Sequence, residues 1–423
     1  MLHTANLMSN MNEQRLLERF LRYVQVDTTA DSSAHGYPSC EGQLKLGAML
    51  VAELKTAGIE DAHQDDHGLV WATVPGTNGA SAPVIALNAH LDTSPETTGR
   101  GVKPQVIRNY AGGDLHLPGD PSRIIRVADN PDLEQLHGRT LITTDGTTLL
   151  GGDDKAGVAV IMEVAAHLRE NPQLRHAPVR LLFTCDEEIG HGVDHVDLQK
   201  LGAIAAYTLD GHGANQIDVE TFSANLATVT VRGINIHPSI GKNRMVNALR
   251  AASAFIAGLP QDRLCPERTD GRDGFMHPYL IEGGVGEVRI RILLRDFETD
   301  RLDEQGLLLK KIAADVAARF PGASLEVETQ AQYRNMRDGL KKDPRAAEFA
   351  QQALRRLGRT PELSIVRGGT DGSQLTERGL PTPNLSTGQH TPHSPLEWVC
   401  LDEMMQAAEM LIELLKIWAE SDG

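Results

Sequence analysis

Three apolar segments of this chain each end at a histidine or an acidic residue: VIALNAH at residues 84–90, RLLFTCDEE at 180–188 and IAAYTLD at 204–210. Near-continuous apolar runs rich in β-forming residues are typical of strands buried on both faces of a parallel sheet. In open α/β sheets, ligands bind outside the carboxyl ends of the strands. The sequence therefore predicts an α/β fold in which His90, Glu188 and Asp210 meet at one edge of the sheet.

Two further segments have the same character. GGDDKAG places Asp153 at a glycine-rich turn before a predicted helix, and HTPHSP contains His393. Each residue alone has an ordinary explanation, since single histidines are usually structural and acidic pairs usually cap helices or face solvent. The glycines let the backbone approach a ligand closely. The common pattern of all these segments favours a functional site.

Length and composition restrict the class of protein. A chain of 423 residues exceeds what one hydrophobic core usually supports, so we expect two domains. The net charge of −16 disfavours nucleic-acid binding, which needs a basic surface. The chain has no signal-peptide pattern and no run of about 18 apolar residues, and its four cysteines lack CxxC spacing. We predict a cytosolic protein without nucleic-acid or membrane partners.

The predicted elements divide the chain into a discontinuous domain and an insertion. Up to Asp210, predicted strands alternate with helices, whereas residues 215–334 have a different order of elements. The predicted elements of the insertion are two strands in 216–233, a helix at 243–257, a strand at 286–297, a helix at 303–320 and a strand at 323–329. We predict a discontinuous domain at 12–214 and 335–423, with a doubly wound mixed sheet, that is interrupted by a smaller α+β, ferredoxin-like domain at 215–334. Residues 1–11 are interpreted as a frayed tail.

The polar residues suit a pair of metal ions. Carboxylates mixed with imidazoles favour Zn²⁺, with Co²⁺ or Mn²⁺ as alternatives. Two ions about 3.5 to 4 Å apart need a bridging carboxylate, which Asp153 can supply. His90 and Asp210 would then bind one ion, and Glu188 and His393 the other. Spacing alone does not decide between the two aspartates of GGDDKAG or between the two histidines of HTPH.

Two carboxylates remain for roles other than ligation. Glu187 would lie beside the water between the ions and take its proton as a general base. Asp92 follows His90 by two residues, so it is suited to hydrogen-bond the imidazole and hold its tautomer.

Several long motifs carry a family resemblance. They are HLDTSPE, LITTDGTTLLGGDDKAG, FTCDEEIG, YTLDG, IHPSIGKNRMVNAL, GFMHPY, LLRDF, YRNM, RGGTDGSQL and TGQHTPHSPLEW. From about Leu17 to the last predicted helix, the chain resembles the peptidase T family of bacterial aminotripeptidases, which belongs to the co-catalytic zinc peptidases that include glutamate carboxypeptidase. The resemblance implies that Asp153 is the bridging ligand. It also implies that the second histidine of HTPH, His393, is a ligand, because Glu397 follows at the family's interval.

The resemblance further implies that the inserted domain is a lid whose His237, Asn247 and Arg295 approach the substrate, together with Arg367 of the RGGTDG loop. A guanidinium fork is well shaped for a carboxylate. On the residues alone, Arg295 could equally form an ion pair on an exposed face, and His237 could be a turn residue before Pro238.

The predicted function is a tripeptide aminopeptidase with two zinc ions per subunit. The alternatives are a dipeptidase, deacylase or carboxypeptidase on the same scaffold, because fold does not determine the reaction. A non-catalytic metal-binding or peptide-binding protein is a further alternative, but it would have no need of Glu187 as a base. The expected partner is a small peptide substrate, and a homodimer through the lid domain is left open.

Overall fold

The structure, a computed structural model, describes residues 11–77 and 82–421. It divides into two compact units. The first unit comprises residues 1–219, 338–364 and 370–423, and the second unit comprises 220–337 and 365–369. Most of the predicted frayed tail, residues 1–10, lies outside the described residues. Met11 is only 8% exposed and belongs to the core, so the tail does not extend to this residue.

The secondary structure of the described residues is mixed. The strands are β1 His63–Gln64, β2 Val70–Val74, β3 Ile85–His90, β4 Gln105–Ile107, β5 Leu115–His116, β6 Ile124–Ile125, β7 Leu141–Thr143, β8 Val179–Thr184, β9 Ala205–His212, β10 Gln216–Thr221, β11 Ser223–Arg232, β12 Phe275–Gly283, β13 Glu287–Asp296, β14 Ser324–Tyr333, β15 Glu362–Val366, β16 Asn384–His390 and β17 Trp398–Cys400. The α-helices are Glu13–Tyr23, Glu41–Thr56, Gly152–Glu170, Leu198–Leu201, Ala248–Ala257, Thr299–Arg319, Arg337–Leu340, Arg345–Arg356, Asp371–Glu377 and Leu401–Glu420. None of these helices combines the length and the apolar composition needed to cross a bilayer.

The first unit is built on a mixed sheet with the strand order β1-β2-β8-β3-β9-β16-β17-β7-β4. Its centre is parallel, since β8, β3, β9 and β16 pair with one another in the same direction. Strands β2, β17, β7 and β4 pair antiparallel toward the two edges. The helix Gly152–Glu170 contacts β3 and β9 and is buried along most of its length. The predicted α/β fold with a mixed sheet is confirmed.

The three apolar segments of the sequence form the central strands β3, β8 and β9. Every residue of β3 is buried, as expected for a strand covered on both faces. Strand β8 ends at Thr184, earlier than its apolar run, because Asp186 adopts a left-handed conformation (φ 61°) and a short 3₁₀ helix follows at Glu187–Ile189. The strand ends therefore lead directly into the polar residues.

The second unit is an α+β module with an antiparallel sheet in the order β12-β13-β11-β14. Alternate residues of β13 are buried, with Val288, Ile290, Ile292 and Leu294 in one apolar core. The helices Ala248–Ala257 and Thr299–Arg319 contribute to the same core. This unit therefore has its own hydrophobic core.

Two sequence interpretations differ from the structure in the second unit. Strand β12 was not among the predicted elements, and it contains Pro278, which lacks the amide hydrogen that a central strand needs. The structure accommodates this proline because β12 is an edge strand whose pairing with β13 is irregular between Pro278 and Leu280. The helix expected to start at residue 243 begins at Ala248, since Asn247 caps it with its side chain.

Candidate metal centre

Five predicted ligands, here called the ligand cluster, lie where central elements of the first unit begin or end. His90 is the last residue of β3, and Asp210 lies near the end of β9. Glu188 is in the turn after β8, His393 follows β16, and Asp153 lies at the start of the helix Gly152–Glu170. Parallel neighbouring strands bring their carboxyl ends to one edge, so residues far apart in sequence become neighbours.

Asp153 lies between the two histidines. Its Oδ1 is 3.0 Å from Nε2 of His90, and its Oδ2 is 3.2 Å from Nε2 of His393. Each carboxylate oxygen therefore faces a different imidazole. A carboxylate with this geometry can bridge two cations that each take one of the histidines.

Glu188 and Asp210 lie on opposite sides of this arrangement. Oε2 of Glu188 is 2.9 Å from Nε2 of His393, and Oδ1 of Asp210 is 4.0 Å from Nε2 of His90. His90, Asp153 and Glu188 each offer one ligand atom within 4.8 Å of the others. The structure thus brings all five residues of the ligand cluster together.

The two alternatives left open by the sequence have other contacts. Oδ2 of Asp154 accepts a hydrogen bond from the backbone N–H of His90, and its Oδ1 accepts one from Gly157, both at 3.1 Å. Nε2 of His390 lies 2.7 Å from Oε2 of Glu403. Asp154 also lies within ligand distance of His90 and Asp210, but both of its oxygens already accept backbone hydrogen bonds.

Burial and neighbouring charges shift the pKa values of the cluster. Burial, together with Asp153, raises the pKa of Glu188 to about 7, and the same two causes raise the pKa of Asp210. Burial acts in the same direction on Asp153, but hydrogen bonds with His393 and His90 hold its pKa below the ordinary value. The cluster therefore concentrates carboxylates in a buried place where positive charge is needed to stabilise them.

These residues fit a pair of divalent cations. Two imidazoles with three carboxylates are a donor set suited to a borderline cation. Oε1 of Glu188 is buried and has no hydrogen-bond partner among the described residues. A buried acceptor without a partner is costly, and a bound cation would satisfy it.

Asp92 connects His90 to the turn that follows β8. Its side chain is fully buried, and its Oδ1 lies 3.3 Å from Nδ1 of His90. Its two oxygens accept hydrogen bonds of 3.0 Å from the backbone N–H groups of Glu187 and Glu188. Asp92 therefore orients an imidazole and, through the same carboxylate, the two consecutive glutamates.

Glu187 has the properties of a proton acceptor. Its carboxylate has no hydrogen-bond partner in the part of the chain that the structure describes, and burial raises its pKa well above the ordinary value. An acid whose pKa is raised toward neutrality can both accept and return a proton. The arrangement can therefore support hydrolysis by an activated water.

Glu397 also belongs to this site, although no local sequence pattern indicates its contacts. Its Oε2 accepts hydrogen bonds from the backbone N–H groups of Leu150 (2.7 Å) and Gly151 (2.8 Å), and its Oε1 accepts one from Asp153 (3.0 Å). The glutamate is only 1% exposed. It therefore holds the glycine-rich turn that presents Asp153, although more than 240 residues separate it from that turn.

Two of the residues predicted to approach the substrate have local contacts in the second unit. Nδ1 of His237 accepts a hydrogen bond of 3.3 Å from the backbone N–H of Ser239, at the start of a 3₁₀ turn. Oδ1 of Asn247 accepts one of 2.9 Å from Leu249 and caps the following helix. These contacts give both side chains a structural role, and their roles toward substrate stay predictions.

The two arginines predicted to bind substrate are held by neutral oxygens. Nη1 of Arg295 donates to the carbonyl of Leu294 and to Oε1 of Gln332, each at 3.0 Å. Nη1 of Arg367 donates to the carbonyls of Gly271 (2.8 Å) and Asp273 (2.9 Å). Within the described residues, neither guanidinium forms an ion pair with a carboxylate, and Arg295 is only 9% exposed.

Comparisons with known proteins agree with the resemblance seen in the motifs. Residues 145–417 match the model of peptidase family M20/M25/M40. The chain is 42% identical to peptidase T of Geobacillus kaustophilus over 408 residues, which cover 96% of this chain and 99% of that protein. The predicted family relationship is confirmed.

Solved structures share the fold. A tripeptidase from Staphylococcus aureus is 23% identical and has a TM-score of 0.76, with 97% of this chain and 100% of that chain covered. A dinuclear metal binding peptidase of the M20 family from Bacillus subtilis is 17% identical, with a TM-score of 0.64 and coverage of 97% and 98%. The chain therefore shares its overall fold with these two solved structures.

Proposed function

Because the chain belongs to peptidase family M20/M25/M40, and within it to the peptidase T group, we propose that it is a tripeptide aminopeptidase. We propose that it hydrolyses the first peptide bond with a water that two metal ions would hold. The main support is the position of Asp153, whose two oxygens face His90 and His393. A bridging carboxylate between two histidines is what a two-ion hydrolase needs. The relative from Staphylococcus aureus is described as a tripeptidase, which agrees with this activity.

The proposed ligands are His90, Asp153 and Asp210 for one ion and Asp153, Glu188 and His393 for the other. We propose Zn²⁺, because imidazole and carboxylate donors together suit it better than they suit Mg²⁺ or Ca²⁺. When bound, the ions lower the pKa of a shared water and polarise the carbonyl of the scissile bond.

Glu187 is the proposed general base. Its carboxylate takes a proton from the attacking water and returns it to the leaving amine, which its raised pKa favours. Asp92 holds His90 in the tautomer that leaves Nε2 free to bind a cation, because its oxygen lies on the Nδ1 side of the ring. Glu397 keeps the Asp153 turn in place through three backbone hydrogen bonds.

An enzyme selective for tripeptides must hold both ends of its substrate. Arg295 and Arg367 are the proposed partners of the C-terminal carboxylate. The sequence resemblance supports this role, and neither side chain has a carboxylate partner among the described residues. Arg295 also lies 5.4 Å from the ring of Tyr333, and Arg367 lies 5.1 Å from that of Phe222, which keeps each guanidinium plane oriented.

Lysine substitutions test this specificity. Arg295→Lys or Arg367→Lys keeps the charge but loses the bidentate fork. We expect kcat/KM for a free tripeptide to fall by about one to two decades, corresponding to roughly 1.5 to 3 kcal/mol of charged hydrogen bonding. Arg291→Lys is the matched control, since Arg291 is exposed on the same strand as Arg295.

The same variants are assayed with a tripeptide amidated at its C-terminus. The wild type should cleave this peptide poorly, and the lysine variants should cleave it no worse than the wild type does. Equal cleavage of free and amidated tripeptides by the wild type would show that no carboxylate clamp exists, and the enzyme would then be a broader aminopeptidase.

A cytosolic location and a homodimer through the second unit are retained as proposals. The four cysteines are far apart in the sequence, whereas disulfide-rich secreted proteins have many closely spaced cysteines, and this difference supports the cytosolic location.

A further inference from the structure

A second group of potential metal ligands lies in the first unit and shares no residue with the ligand cluster. Asp132, His212 and His390 each offer one ligand atom, and these atoms lie within 4.8 Å of one another. Asp132 is in the 3₁₀ helix Pro131–Gln135, His212 is the last residue of β9, and His390 is the last residue of β16. We refer to these three residues as the Asp132 site.

The distances in this group are close to those of a tetrahedral cation site, and the shorter one is that of a hydrogen bond between Asp132 and His212. Oδ2 of Asp132 lies 3.0 Å from Nε2 of His212 and 3.4 Å from Nδ1 of His390. Ligands bound to Zn²⁺ at about 2.0 to 2.1 Å in tetrahedral geometry are separated by about 3.3 to 3.4 Å. Small side-chain rotations would therefore suffice to enclose an ion.

His390 is oriented as a metal ligand usually is. Its side chain is 2% exposed, and its ring stacks on Trp398 with 3.7 Å between the centroids and 2° between the planes. Nε2 lies 2.7 Å from Oε2 of Glu403, so this carboxylate favours the tautomer with hydrogen on Nε2. The lone pair of Nδ1 then faces Asp132 and His212.

The same Nδ1 atom is buried and has no hydrogen-bond partner among the described residues. Its contact with Oδ2 of Asp132 is long, at 3.4 Å. Asp132 and His212 are about half exposed, with side-chain exposures of 49% and 46%, so an ion can enter from solvent. The site therefore combines a fixed inner ligand with two accessible outer ligands.

We infer that Asp132, His212 and His390 bind a third divalent cation of the Zn²⁺ type, with a structural rather than a catalytic role. The donor set of two imidazoles and one carboxylate suits Zn²⁺ and leaves a fourth position for water. The inference does not rest on the proposed function, because none of its residues takes part in the proposed reaction.

The position of the site suggests what the ion would stabilise. The site joins the 3₁₀ helix before β7 to the ends of β9 and β16. Strand β9 also carries Asp210, and β16 leads into the loop that contains His393. Thr391 and His393 in this loop adopt positive φ angles of 53° and 61°, a conformation that residues other than glycine rarely take. An ion at the base of the loop would help to hold it in this conformation.

The alternative is a metal-free network in which His390 is protonated between two carboxylates. Burial opposes protonation, whereas Asp132 and Glu403 raise the pKa of His390. The ring of His212 lies beside that of His390, with 4.4 Å between the two centroids. The two alternatives differ in one measurable quantity, which is the number of ions bound per chain.

Metal content decides between them. The full-length protein is stripped with a chelator, equilibrated with Zn²⁺ alone in a zinc-buffered solution, and analysed by plasma mass spectrometry. The test variant is His212→Ala. The matched control is His191→Ala, which removes an exposed histidine whose Nδ1 lies 2.7 Å from Asp194, with side-chain exposures of 56% and 49%.

We expect the wild type and His191→Ala to retain one ion more than His212→Ala does. Asp132→Asn provides a second variant of nearly unchanged shape, and it should also lose one ion. Glu403→Gln should weaken binding of that ion by about 10-fold to 100-fold, since it removes the carboxylate behind a ligating histidine. Equal zinc content in the wild type, His212→Ala and Asp132→Asn would overturn the inference and leave the metal-free network.

Discussion

At the scale of single residues, Asp153 contacts both halves of the ligand cluster. Its oxygens lie 3.0 Å from His90 and 3.2 Å from His393, whereas each histidine lies on only one side. Asp154, the neighbouring aspartate, is instead engaged by backbone N–H groups. The two aspartates therefore have different contacts although they are adjacent in sequence.

This difference gives a prediction about metal binding. Asp153→Ala should release both ions of the cluster, because only Asp153 is shared, whereas His393→Ala should mainly weaken one ion. Bound zinc after dialysis is measured by plasma emission, in the His212→Ala background so that the Asp132 site does not contribute. Two tightly held ions in the Asp153→Ala variant would contradict the bridging role.

Glu187 gives a prediction about turnover. Glu187→Gln preserves the shape of the side chain but cannot accept the proton of water, so kcat should fall by at least the roughly 10² to 10⁴ attributed to general base catalysis. The variant should keep its full metal content, because Glu187 is proposed as the base and not as a ligand. Single-turnover assays with metal analysis test this, and a near-normal kcat at full metal content would place the base elsewhere.

The residues of this site could be predicted to different extents. His90, Glu188 and Asp210 follow strands that their apolar runs made visible, so their convergence was expected. The choice of Asp153 over Asp154 came from the family resemblance, because periodicity does not show which of the two carboxylates the backbone engages. Glu397 acts through hydrogen bonds to a turn more than 240 residues away, which no local pattern indicates.

At the scale of elements, one glycine determines how closely a helix can approach the sheet. A Cβ at Gly157, in the helix Gly152–Glu170, would lie 1.9 Å from the carbonyl oxygen of Leu209 in β9. At Gly306, in the helix Thr299–Arg319, the nearest atom is Cγ2 of Thr329 at 3.6 Å. The two helical glycines therefore have opposite surroundings.

Alanine substitutions should change stability in opposite directions. Gly157→Ala should destabilise the first unit by about 1 to 3 kcal/mol, because the helix must move away from the strand that carries Asp210. Gly306→Ala should be neutral or stabilise the second unit by up to about 1 kcal/mol, because alanine favours the helix and meets no clash. Chemical unfolding measures both changes, and a loss of similar size in both variants would contradict the close-approach argument.

The strands and helices could be predicted from the sequence where the apolar periodicity was clear. Buried parallel strands and the long amphipathic helix Thr299–Arg319 have clear apolar periodicities. Strand β12 was not predicted, and only the sheet order shows that it is an edge strand, where a proline such as Pro278 is tolerated.

At the scale of the whole molecule, the chain passes from the first unit into the second unit twice, and the second passage is short. Residues 365–369, which include Arg367, group with the second unit although the segments on both sides belong to the first. The backbone N–H of Phe222 donates to the carbonyls of Val366 (3.1 Å) and Gly368 (3.2 Å), which ties this short segment to the second unit. Such a brief excursion leaves no composition signal, so the sequence analysis did not predict it.

We propose that the enzyme recognises peptides of three residues by both of their ends. The most direct test compares free di-, tri- and tetrapeptides of one residue type with tripeptides blocked at the N-terminus or the C-terminus, and identifies the products. We predict that the free tripeptide loses its N-terminal residue with kcat/KM at least about tenfold above every other peptide, a ratio that corresponds to about 1.4 kcal/mol. Preferred cleavage of dipeptides, of N-terminally blocked tripeptides, or at the C-terminal bond would contradict the account.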